Sequence, residues 1–192
     1  MEPQAVEPRA LTWRWRLIAA AAIALRFLLR WRIDVRGLGH VPRRGGAVLA
    51  FNHHSYIDFV TVAWPIVRQL DRPVRFLAKR EIWSSPRLGW IVDWGEAVPV
   101  DRSSPGSRSE AFEAAATALR AGDLVAVAPE QTISTSYELL PMRAGAVRMA
   151  QLAGVPIVPA IGWGSHRALP KGGRKRAHLG LPVTVRFGTP LH

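Results

Sequence analysis

The sequence predicts an α/β domain, a largely parallel mixed sheet flanked by helices, preceded by an N-terminal amphipathic helix that lies in a membrane interface. Three observations point there. Short apolar runs of strand length alternate with longer helical stretches along most of the chain, the pattern that strand–crossover–strand units produce. Glycine or proline stands at the ends of several of these runs, as chain reversals require. Tryptophans flank the first helical stretch, and indole rings favour the boundary between headgroups and acyl chains.

Residues 1–34 read as a polar tail and a membrane-associating helix, and residues 35–192 as one domain. The helix is expected over residues 13–31. Its longest charge-free run, residues 17–25, falls well short of the roughly 20 apolar residues that a span needs. No small-residue cleavage site follows, which argues against a signal peptide. At about 100° per residue Arg16, Arg26 and Arg30 share one side, the geometry of a helix lying flat with its basic side to the headgroups. Packing on the domain's own core is the competing reading.

After a glycine- and proline-rich turn at residues 37–46, a buried strand is expected at 47–51 and a helix at 55–64, ended by Pro65. Further strands are expected at 74–78, 98–100, 124–128, 155–161 and 183–187. Helices are expected at 109–121, closed by Gly122, and at 142–153, closed by Gly154.

The charge is +12, from 26 lysines and arginines against 14 acids. A surface this positive attracts nucleic acid, an anionic bilayer or phosphorylated ligands, and the eight tryptophans tilt the balance towards lipid. Nucleic-acid binding would rest on charge alone and is not expected. Only Lys79, Lys171 and Lys175 are lysines, an arginine bias that suits a GC-rich bacterial genome. The chain holds no cysteine, which excludes thiol chemistry and cysteine-ligated zinc. There is no G-x-S-x-G elbow and no Walker loop.

Chemistry concentrates in Asn52-His53-His54-Ser55-Tyr56-Ile57-Asp58, directly after a buried strand, where parallel sheets usually bind ligands. Histidine titrates near neutrality and suits removal of a proton from an attacking hydroxyl. A carboxylate on its far nitrogen would fix the tautomer and stabilise the imidazolium. His53 and Asp58 can form that pair. Ser55 and Asp58 also fit an S-x-x-D capping box, which explains the carboxylate without catalysis; one residue can serve both ends. His54 reads as structural.

Taken with further blocks, this stretch resembles the glycerolipid acyltransferases of the 1-acylglycerol-3-phosphate acyltransferase type. Asn52-His53-x-Ser55-x-x-Asp58 matches the family's N-H-x-S-x-x-D block. Lys79-Arg80-Glu81 with Pro86 and Gly89 resembles its K-x-E and P-x-x-G segment, and Val100-Asp101-Arg102 its second block. Pro129-Glu130-Gln131-Thr132 resembles P-E-G-T, and Val155-Pro156-Ile157-Val158-Pro159 resembles V-P-I-V-P. The likeness covers residues 35–190 in the family's order.

The resemblance implies that residues 35–192 are an acyltransferase domain of phospholipid biosynthesis, with His53 as general base and Asp58 as its orienting partner. It implies substrate contacts at Asn52, Ser55, Lys79, Arg102, Glu130, Gln131 and Thr132, with the acceptor's phosphate assigned to Arg102. The acyl donor would be acyl-CoA or acyl-carrier protein, with no cofactor and no metal. The acceptor would be a lysophospholipid such as 1-acylglycerol-3-phosphate, giving phosphatidic acid. The partner surface would be an anionic membrane, on the cytoplasmic face of the cell membrane. Amides around residues 130–132 would hold the oxyanion. The third block departs from E-G-T-R-S: Gln131 replaces glycine, Ile133 replaces arginine, and Thr135 stands where some members place an arginine instead. Arg143 or Arg148 is the expected substitute cation. A different lysolipid or lipid-linked acceptor, or a lipid-binding protein without catalysis, are the alternatives. The basic segment from Lys171 reads as a solvated turn, or as a contact for anionic headgroups.

Overall fold

The computed structural model describes residues 6–7, 9–101, 105–136, 138–172 and 179–192. Alternating strands and helices build one seven-stranded sheet with helices on both faces. In chain order the elements are α1 (Trp13–Leu28), β1 (Arg32–Arg36), β2 (Ala47–Phe51), α2 (Asp58–Leu70), β3 (Val74–Lys79), α3 (Gly89–Trp94), β4 (Val98–Val100), α4 (Pro105–Arg120), β5 (Leu124–Val127), α5 (Gly145–Ala153), β6 (Ile157–Trp163) and β7 (Pro182–Phe187). The strand order is β1-β7-β6-β2-β5-β3-β4. Every pairing is parallel except β6 with β7, so the sheet is the largely parallel, mixed one that the alternating runs predict.

Burial explains why β2 sits at the centre. Successive side chains of a strand point to opposite faces, and both faces of β2 are covered. Leu49 and Phe51 pack with Val62 and Ile66 of α2. Val48 on the opposite face packs with Ala115 and Leu119 of α4 and Met149 of α5. Strands buried on both faces read as continuous apolar runs, which is why this segment was legible.

Several elements differ from expectation: α3 is not among the expected helices, and α4, α5 and β6 shift by a few residues at their ends. The helix expected to stop at Pro65 starts at Asp58 and runs through the proline to Leu70. An interior proline costs roughly 3 kcal/mol, but Val62, Ile66 and Val67 are buried along the same helix. At about 1.5–3 kcal/mol per buried aliphatic side chain, that face outweighs the break. The edge strand β1 alternates between charged and apolar residues, too mixed to announce itself; it pairs with β7 in register Val35↔Val185. The first helix ends at Leu28, and Arg30 takes a left-handed φ of 53°.

That first helix packs on the domain through Trp15, which is buried with Leu11 and Val67. Trp13 meets Trp94 of α3 edge-on at 5.5 Å. Arg26 departs from its expected place on a headgroup-facing side. Its guanidinium lies 5.1 Å over the Trp64 ring of α2 and donates to the carbonyl of Trp31. Leu17, Leu25, Phe27 and Leu28 remain exposed. Among the described residues no helix is long and apolar enough to cross a membrane.

Candidate active site

The carboxyl ends of β6, β2 and β5, three adjacent strands, deliver three loops to one place. Strands β5, β3 and β4 continue the sheet on one side of β2, and β6, β7 and β1 on the other, so the loop after β2 lies where open α/β sheets form their crevice. Asn52, His53 and Ser55 stand on that loop, and Asp58 is the first residue of α2.

Asp58 is buried, and protein donors surround its carboxylate. Oδ2 accepts from His53 Nδ1 at 3.1 Å and from the backbone amides of His54 and Ser55, each at 2.7 Å. Oδ1 accepts from the hydroxyl of Ser165. The Ser55 amide donates to Asp58 as one half of a capping box would, but the reciprocal bond is not made: the Asp58 amide donates to the Ser55 backbone carbonyl at 3.3 Å, and the helix N-cap is Ile57, which makes no side-chain cap bond. The Ser55 hydroxyl donates instead towards the carbonyls of Leu169, at 2.9 Å, and Ser165, at 3.1 Å. The expected capping box is therefore not formed; the carboxylate instead holds two amides of its own loop together with the His53 ring.

With Nδ1 donating to Asp58, the free lone pair of neutral His53 is on Nε2. That nitrogen has no hydrogen-bond partner among the described residues, and the His53 side chain is 22% exposed. Glu130 fixes the loop from the other side. It is buried, and its two oxygens accept from the amides of His53 at 2.8 Å and Leu140 at 3.0 Å. The Ser134 amide donates to the His53 carbonyl at 2.7 Å.

Asn52 binds protein rather than facing outward. Its amide exchanges two hydrogen bonds with the backbone of Gly162 in β6, at 2.7 and 3.0 Å, and donates to His54 Nδ1 at 2.7 Å. His54 is buried beside the rings of Trp163 and His166, the structural residue expected. Burial holds the His166 imidazole below its ordinary value, and the neighbouring Arg167 and His54 act in the same direction.

Lys79 ends β3 and lies two strands from β2, exposed, paired in register with Val100. The K-x-E segment thus sits beside the second block, whose Arg102 lies outside the described residues. Gln131 takes a left-handed φ of 58°, a conformation that glycine adopts freely and other residues at a cost; the family's glycine falls on this position. Its amide donates to the Ala128 carbonyl at 3.0 Å, so the expected oxyanion donors exclude that one. Ile133 is buried, and Thr132 is exposed, its hydroxyl 2.8 Å from Lys171 Nζ. Arg148 is stacked 5.7 Å over Phe112 of α4, whereas Arg143 is exposed and its amide bonds the Pro129 carbonyl.

Ser165 and the Lys171 contact were missed from sequence. The available signal for Ser165 is Gly164, which has φ +103° and no room for a Cβ, the Pro182 carbonyl oxygen lying 2.3 Å from where one would stand. A forced glycine after a buried strand marks a tight turn that aims the next side chain. Among the described residues no group of three or more His, Asp or Glu side chains could hold a metal ion.

A mostly parallel sheet with a hydrogen-bonded histidine–aspartate pair at the carboxyl end of its central strand is an α/β scaffold with a polar site at the crest of the sheet. The family model described as Acyltransferase matches residues 32–163, well over half of the chain. The 1-acyl-sn-glycerol-3-phosphate acyltransferase of Bacillus subtilis (strain 168) is 30% identical over 166 residues, 85% of this chain and 80% of that protein. The protein of the same name from Limnanthes alba is 32% identical over 164 residues, 83% of this chain but only 54% of its own length. The crystal structure of the 1-acyl-sn-glycerophosphate (LPA) acyltransferase PlsC from Thermotoga maritima superposes with a TM-score of 0.72 at 24% identity, over 92% of this chain and 68% of that one; it speaks for the fold. The chain belongs to the Acyltransferase family and is an enzyme.

Proposed function

We propose that the protein transfers a fatty acyl group from a thioester, acyl-CoA or acyl-carrier protein, to the free hydroxyl of 1-acylglycerol-3-phosphate. One observation carries the reading: His53 Nδ1 is tied to Asp58, leaving Nε2 open at the crevice. In this mechanism Nε2 takes the proton of the acceptor hydroxyl as its oxygen attacks the thioester carbonyl. Asp58 keeps the imidazole in the tautomer with an open Nε2 and stabilises the imidazolium that forms. Collapse of the tetrahedral intermediate breaks the carbon–sulfur bond, and the thiolate leaves with the proton from His53. An ester replaces a thioester, and the base is regenerated. The names of the relatives support the acceptor, since both describe acyl transfer to 1-acyl-sn-glycerol-3-phosphate.

The site works at a membrane surface in this reading. Exposed Trp13, Leu17, Leu25, Phe27 and Leu28 of the first helix and its end, with Leu88 and Trp90 at α3, offer an apolar face. Exposed Arg14, Arg16, Arg30 and Arg87 stand on the same segments and suit an anionic bilayer.

The test is acyl transfer by the purified chain in detergent, with labelled acyl-CoA offered to a panel of lysolipids. His53→Ala is expected to lose about 10²–10⁴ of kcat, the usual contribution of a positioned base. Asp58→Asn should fall by a similar factor, through the wrong tautomer. Undiminished activity in His53→Ala would refute the role of the base. A wild-type chain that cleaves no thioester would refute the enzyme reading. Acylation of another lysolipid in preference to 1-acylglycerol-3-phosphate would favour the alternative acceptor suggested by Gln131, Ile133 and Thr135.

A further inference from the structure

Lys171 takes no part in the mechanism above, yet its side chain reaches one of the loops that hold His53. Its place follows from how the three loops are joined. Glu130 and Ser134, from the loop after β5, hold the amide and carbonyl of His53. Leu169, from the loop after β6, accepts from the hydroxyl of Ser55 at 2.9 Å and from the amide of Tyr56 at 3.2 Å. The loops after β5 and β6 therefore flank the His53 loop, and Lys171 spans from one to the other by donating to Thr132 Oγ1 at 2.8 Å.

The chemistry at that bridge is incomplete. Lys171 and Thr132 are both exposed, and Lys171 has no carboxylate within ion-pair distance among the described residues. The acids that belong to these loops and are buried, Asp58 and Glu130, are already taken up by protein donors. An ammonium has three donors, so two N–H groups of Lys171 are left for a ligand. Thr132 accepts from Lys171 and so keeps its own O–H to donate. Together they present a positive charge and up to three donors pointing away from the bridge. Ile133, the next side chain on that loop, is buried and apolar.

A phosphate monoester fits this arrangement. It carries close to two negative charges near neutral pH and three acceptor oxygens, and a lysine meets such a group as a point charge with rotatable donors. We propose that Lys171, with the hydroxyl of Thr132, binds the phosphate of the acceptor and so fixes where its free hydroxyl lies relative to His53. The assignment rests on the acceptor being a phosphate-bearing lysolipid, as proposed above.

Steady-state kinetics of the purified chain test it. Lysophosphatidic acid is varied at saturating acyl-CoA and the reverse, with 1-acylglycerol as a phosphate-free acceptor and with Lys171→Gln and Lys171→Arg beside wild type. Thermal melts establish that each variant is folded. Loss of one charge-assisted contact is worth about ten- to a hundredfold. Lys171→Gln should raise the KM for lysophosphatidic acid by that factor while the KM for acyl-CoA stays within about twofold. Lys171→Arg should recover most of the loss, because it keeps the charge. The preference for lysophosphatidic acid over 1-acylglycerol should fall by the same factor.

An unchanged acceptor KM in Lys171→Gln would overturn the proposal. So would a rise confined to the acyl-CoA KM, which would give the cation to the donor's phosphates. Equal losses of kcat with both acceptors, not recovered by Lys171→Arg, would make Lys171 only a strut for Thr132. A wild-type chain that acylates no phosphate-bearing lysolipid would sink the functional reading itself, before Lys171 is changed.

Discussion

Asp58 shows how much one carboxylate can be asked to hold. Its four hydrogen bonds join the His53 loop to Ser165 of the loop after β6. Ser165→Ala would leave Oδ1 buried with one partner fewer, at a cost of about 1–3 kcal/mol. We expect kcat to fall by about tenfold with acceptor and donor KM nearly unchanged, because the carboxylate turns and the imidazole loses its orientation. A kinetic comparison at matched folded fraction checks this; an unchanged kcat would confine Ser165 to stability. The sequence announces Asp58, because its partner His53 lies within the same short block. It conceals Ser165, which is remote along the chain and reaches Asp58 only through the pairing of β6 with β2. Gln131 is a case between: its departure from the family's glycine was visible, but that the position needs a left-handed backbone was not.

Among elements, the sheet's amino-terminal end is held by a residue that no block contains. Arg72, at the start of the turn into β3, is buried at 1% exposure and donates to the carbonyls of Pro42, Gly45 and Gly122. It ties the approach to β2, the turn into β3 and the turn into β5 at the opposite end from His53. Arg72→Ala strands three carbonyls and opens a cavity, and we expect a loss of about 3 kcal/mol or more. For a chain of this size that is roughly 10 °C in Tm, measurable by calorimetry, while kcat of the folded fraction should hold. A Tm within about 2 °C of wild type would show that water replaces the guanidinium. The central strands were legible because both their faces are apolar. The edge strand β1 and the passage of α2 through Pro65 were not, because partners remote in the sequence settle both.

At the scale of the molecule, the first helix divides its tryptophans between two surroundings: Trp15 is buried in the domain and Trp13 is 62% exposed. With Phe27 and Leu28, each more than 60% exposed, this face predicts binding to vesicles that contain anionic lipid. Phe27→Glu with Leu28→Glu should weaken that binding by about tenfold or more, since each side chain contributes about 1.5–3 kcal/mol on burial. Raised salt should weaken it further, as screening of basic residues near an anionic surface requires. Co-sedimentation with charged and neutral vesicles checks both; equal binding of the double variant would return the helix to a purely structural role. The weave of the three loops carries a consequence for redesign. Grafting residues 129–140 from a relative would bring in a foreign backbone where Glu130 and Ser134 must meet His53 from both sides, so an imported loop would arrive out of step with its neighbours. Among the described residues, position 171 touches that weave through the tip of one flexible side chain. On the role proposed for Lys171, substrate preference in this scaffold is open to single exchanges at the rim, and closed to the transplanting of whole loops.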